Sequence, residues 1–86
     1  MSEISALPGL GPKSQQMLAQ AGIHSVAQLQ TLGAVRAWLQ VQTSGQKPGL
    51  NLLWALEGAL LGQDWRLVAR EQRTRLLLEL DRLRQA

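Results

Sequence analysis

Residues 50–62 read LNLLWALEGALLG, and no other stretch restricts the fold as tightly. On a helical wheel its apolar residues do not keep to one side. Leu50, Trp54 and Leu61 cover one direction, Leu53 and Leu60 the next, and Leu52, Leu56, Ala55 and Ala59 the remainder. Only Asn51 and Glu57 interrupt the ring. A helix that is apolar nearly all round is either a membrane span or the buried centre of a bundle. Crossing a hydrocarbon core takes about 20 apolar residues, and this stretch is shorter. It is expected to be the central helix of a small α-helical domain, ended by Gly62.

The flanking sequence supplies helices to surround it. Residues 1–6 are expected to be a short, frayed leader. Pro12 stands where proline is favoured, in the first turn of a helix, and that helix runs through Lys13, Met17, Leu18 and Ala21 to a left-handed terminator at Gly22. Ser25 is a candidate cap for the next helix, with Gln28 at capping-box spacing. Val26, Leu29 and Leu32 form its inner face, and Gly33 ends it. A third helix is expected from Ala34 to about Gln42, with Val35, Trp38, Leu39 and Gln42 in line. The segment TSGQKPG at 43–49 is the one clear loop. Asp64 caps a last segment that opens with Trp65 and Leu67, and from about Ala69 its inward positions are Leu76, Leu77, Leu80 and Leu83. Glu71–Arg75 and Arg75–Glu79 are candidate i,i+4 pairs on its outer face, and Leu78 points out among them. No period-2 alternation occurs. The expectation is an all-α, compact bundle of five or six short helices forming one domain over the whole chain.

The 86 residues contain no cysteine, which excludes a disulfide framework, a thiol nucleophile and a thiolate metal site. His24 is the only histidine. With no second histidine and no placed nucleophile it reads as a crossover residue, neither a metal ligand nor a general base. Glu57 is the one acid within the apolar helix, and a buried carboxylate needs a partner; an arginine of the C-terminal segment is the natural one. Trp38, Trp54 and Trp65 read as core or core-edge. The net charge is +3, with Arg66, Arg70, Arg73, Arg75, Arg82 and Arg84 interleaved with Asp64, Glu71, Glu79 and Asp81. That is a dispersed arrangement, closer to a solvated helix face than to a concentrated nucleic-acid surface. Arg75, Leu78 and Arg82 form a candidate patch for a protein partner. The start MSEISA carries neither a basic run nor an apolar one, so no signal peptide is read, and a cytoplasmic location is expected.

The sharpest functional signal is LPGLGPKS at 7–14. It resembles the hairpin of helix-hairpin-helix motifs, in which apolar-x-Gly-apolar-Gly leads into a helix. The glycines allow a tight turn and close approach, and the N–H groups at a helix start attract anions. Gly9, Leu10 and Gly11 would offer their amides to a phosphate, with Lys13 and Ser14 alongside as a charge and a hydroxyl donor. Contact of this kind reads the sugar-phosphate backbone of duplex DNA and not its sequence. The alternative is that Gly9 and Gly11 merely make a turn and cap a helix. Only six residues precede Leu7, so no leading helix is expected, and a second hairpin at LQTLGAVRA keeps only Gly33.

LNLLWALEGALLG, with the loop before it, Asp64-Trp65-Arg66 after it, and the preceding LPGLGPKS and AGI in the same order, resembles the C-terminal domain of the TfoX (Sxy) family from about Leu7 to Asp81. The resemblance implies an all-helical bacterial domain tied to regulation of competence genes. As partners it implies the transcription machinery or the cyclic AMP receptor protein at competence promoters. In two-domain members an N-terminal domain and linker come first, and neither is expected within these 86 residues. No arrangement of residues supports catalysis, and no cofactor, metal, membrane or small-molecule substrate is expected. Three readings stand: a TfoX C-terminal-type regulatory module, a helix-hairpin-helix DNA-binding module, and a protein-interaction or homodimerisation domain without DNA contact.

Overall fold

The computed structural model describes residues 4–7 and 9–85. Residues 1–3 of the expected frayed leader lie outside the described residues, as does Pro8 of the hairpin. Among those described, a 3-10 turn at Ile4–Ala6 precedes six helices and no strand: α1 (Pro12–Gln20), α2 (Val26–Leu32), α3 (Ala34–Thr43), α4 (Leu50–Leu61), α5 (Trp65–Glu71) and α6 (Arg73–Gln85). The all-α fold read from the sequence is the one observed.

α4 is the centre. Leu52, Leu53, Trp54, Leu56, Gly58 and Ala59 are buried along it, and it packs chiefly against α5 and α3. Its ends protrude: Leu50 and Leu61 are among the few large apolar residues left exposed. A helical wheel gives their direction but not that they overhang the bundle. Gly62 ends the helix in the left-handed region at φ 72°, ψ 31°, where a residue without Cβ has no steric cost. The N–H groups of Gly62 and Gln63 both bond back to the Gly58 carbonyl.

The surrounding helices follow from their caps. Ser25 Oγ accepts from the Gln28 N–H at 3.1 Å, and Gln28 Oε1 accepts from the His24 N–H at 2.7 Å. The reciprocal bond therefore reaches one residue further back than in the usual box. In α3 the buried stripe is Ala34, Val35, Ala37, Trp38 and Val41. Gln42, expected in line with it, shares the direction of Val35 but is exposed, because it lies in the last turn of α3.

The C-terminal segment bends. Asp64 caps α5 by accepting from the Arg66 N–H at 2.8 Å, but the chain breaks at Gln72 before α6 begins. The break separates Glu71 from Arg75, so the expected helical pair between them is replaced by an ion pair of Arg75 with Glu57. The Arg75–Glu79 approach remains, at 3.9 Å. Within α5 the fully buried residue is Val68, while Leu67 is only half-buried.

At the other end, the leader does not fray at Ile4–Ala6. Ile4 is buried with Leu10, Leu18 and Ile23 in the same apolar cluster as Leu29, Val35, Trp38, Leu53, Leu56, Val68, Leu76 and Leu80. Burying one such aliphatic side chain is worth roughly 1.5–3 kcal/mol, enough to hold a turn that has little helical propensity of its own.

Candidate nucleic-acid interface

The hairpin is built from successive turns. The Leu7 N–H donates to the Ile4 carbonyl at 3.0 Å, and the Leu10 N–H to the Leu7 carbonyl at 3.1 Å. Gly9 sits at φ +82° with open space where a Cβ would be, so conformation and not crowding asks for glycine there. Gly11, extended, is the N-cap of α1, and Pro12 opens the helix. Among the described residues no side chain caps this end, and its first turn contains no acid. The opening N–H groups and the positive end of the helix dipole therefore face outward beside the exposed Lys13 and the half-buried Ser14.

Leu10 plays a different part from the one expected of it. Its side chain is buried and its N–H is committed to Leu7. It anchors the hairpin to the core, which leaves Gly9, Gly11, Lys13 and Ser14 as the residues available at the surface.

Glutamines hold α1 in this attitude. Gln46 Nε2 donates to the Met17 carbonyl at 2.9 Å, and Gln40 Nε2 to the Ala21 carbonyl at 2.7 Å. The C-terminal half of α1 is thereby tied to α3 and to the loop after it. The Trp38 indole N–H donates to the Gly49 carbonyl at 3.0 Å, which fixes where α4 starts. As a result the first turns of α1 and α4 meet along one shallow groove. It is lined by Gly9, Lys13, Ser14 and Met17 from the hairpin and α1, by Gly49, Asn51, Leu52 and Ala55 at the start of α4, and by Trp65 of α5. A second depression joins Gly9 to Gly62, Gln63, Asp64 and Trp65.

Asn51, Gly49 and Trp65 were not legible as neighbours of the hairpin. The one trace in the sequence is Asn51 itself, a polar residue in the first turn of an otherwise apolar helix. Trp38 and Trp54 lie in the core, whereas Trp65 is 38% exposed at its edge.

The second expected surface stands apart. Arg75, Leu78, Glu79 and Arg82 line a depression on α6 that shares no residue with the hairpin groove. Leu78 is 66% exposed. Arg75 is already engaged: it pairs with Glu57, and its Nε donates to Gln72 Oε1 at 2.9 Å. Among the described residues no three His, Asp or Glu side chains converge as a metal site would require, and no helix is long and apolar enough to cross a membrane. His24 is exposed at the crossover between α1 and α2.

The profile of the TfoX C-terminal domain matches residues 1–80. The DNA transformation protein TfoX of Haemophilus influenzae is 30% identical over 81 residues, which cover 94% of this chain and 37% of that protein. The chain thus spans well under half the length of that relative. The crystal structure of an uncharacterized protein from Listeria monocytogenes superposes with a TM-score of 0.82 at 28% identity, over 96% of this chain and 94% of that one.

Proposed function

The chain belongs to the TfoX C-terminal domain family, and from that premise we propose that it is a non-catalytic module in the regulation of competence for DNA transformation, touching the DNA phosphate backbone through its hairpin. In this reading it acts in the cytoplasm at competence promoters, together with the transcription machinery and the cyclic AMP receptor protein. The observation that carries the DNA contact is the α1 N-terminus: uncapped by any described side chain, free of acids in its first turn, and flanked by exposed Lys13. A phosphate there meets backbone donors, a helix dipole and a cation together.

Lys13→Glu tests it. The substitution places an acid in the first turn of a helix, which the dipole favours, so the melting temperature should stay close to that of the wild type. Binding to labelled duplex, read by fluorescence anisotropy at low salt, should weaken about ten- to hundredfold, the worth of one charge-assisted hydrogen bond. Equal binding by both proteins would move the charge contact away from the hairpin.

A second reading rests on Leu78, whose exposure on α6 beside Arg82 suits a protein partner or a second copy of the chain. Helix packing of that kind lacks the steep salt dependence of phosphate neutralisation. If the wild type fails to bind duplex even at low salt, this reading replaces the first.

A further inference from the structure

Trp65 is the one tryptophan of three that the fold leaves open, and it closes the groove that begins at the hairpin. We infer that this groove takes an unpaired DNA strand, with a phosphate against Gly9, Gly11 and Lys13 and the neighbouring base stacked on the Trp65 indole. The inference rests on the hairpin reading above and extends it from backbone contact to a class of DNA.

Charge selects the occupant. Among the described residues Lys13 is the only charged side chain lining the groove, and the Arg66 guanidinium lies over the Trp65 ring, 5.6 Å from its centroid. Asp64, the acid nearest in the chain, caps α5 and lines the neighbouring depression, so the phosphate belongs on the Lys13 side of the groove. An occupant that is anionic along one side and flat and aromatic along the other satisfies both walls. A single strand has that character, because its bases are free to leave one another and stack on a side chain. Within a duplex the same faces are already covered.

The platform is preset. A Cβ on Gly58 would lie 2.7 Å from the Gln63 carbonyl oxygen and 3.3 Å from the Trp65 Cα. The backbone of Trp65 is therefore seated directly on α4, which fixes the point from which the indole projects.

The test compares a short labelled oligothymidine, an oligouridine of equal length and a matched duplex, by anisotropy at low salt. Trp65→Leu should weaken oligothymidine binding about five- to 150-fold, the range for loss of one stacked base, and duplex binding by much less, so that the preference for the single strand falls. Trp65→Phe should retain most of it, and Lys13→Glu should weaken both ligands. Should Trp65→Leu not fold, quenching of tryptophan fluorescence by oligothymidine, lost in Trp65→Phe, decides in its place. Unchanged oligothymidine binding by a folded Trp65→Leu, with Lys13→Glu still impaired on duplex, would overturn the stacking and leave the hairpin reading standing. Failure of the wild type to bind either DNA would end both, and tighter binding of oligouridine would overturn the assignment to DNA.

Discussion

Glu57 sits where a helix is otherwise apolar, and its side chain keeps only 13% of its exposure. That a partner was needed followed from the sequence, since a shielded carboxylate without one is costly. Which arginine it would be did not follow. Six arginines follow α4, and it is Arg75, just past the break at Gln72, that pairs with Glu57. The Arg75 side chain remains 53% exposed, so solvent weakens the pair and its worth lies nearer that of a surface bridge than of a buried one. Glu57→Gln should accordingly lower stability by about 1 kcal/mol, seen as a fall in melting temperature of roughly 4–8 °C for a domain of this size. An unchanged denaturant midpoint would show that the pair contributes nothing. Leu10 illustrates the opposite limit of reading by residue type. Its place in a glycine-rich motif pointed to ligand contact, whereas its apolar side chain and committed N–H make it the anchor that holds the ligand-facing residues in place.

Between elements, the crossing of α4 and α5 sets the geometry of the groove, and it depends on Gly58. Alanine is the better helix former there by about 1 kcal/mol, so propensity alone favours Gly58→Ala. The close approach of the Gln63 carbonyl reverses the sign. Overpacking of this kind costs about 1–3 kcal/mol or more when backbone must move, and the variant should melt below the wild type. A melting temperature equal to or above it would mean that α5 does not rest on α4 as described. The helices themselves were legible because their ends carry chemistry: Ser25 and Asp64 as caps, Gly33 and Gly62 as stops, Pro12 as a start. The break at Gln72 was not, because no glycine or proline marks it. Nor was the seat of Ile4, which depends on a core assembled from distant residues.

For the molecule as a whole, the candidate site lies at one end of a helix, while parts of the arginine-rich segment are tied into the fold. Arg84 shows why charge counts mislead: its guanidinium lies over the Trp38 ring, 5.3 Å from the centroid, and donates to Gln42 Oε1 at 3.1 Å, tying α6 back to α3. The half of the candidate site lying within residues 9–14 could be read from its motif. The other half, Gly49, Asn51 and Trp65, comes from parts of the chain that only the packing of α1, α4 and α5 brings alongside. The most direct test of the central claim is a titration of the isotopically labelled chain with duplex DNA at low salt, following backbone amide shifts by heteronuclear NMR. The largest shifts are predicted at Gly9, Gly11, Lys13 and Ser14, fading as salt is raised. Shifts concentrated instead at Arg75, Leu78 and Arg82, with the hairpin amides unmoved, would contradict it.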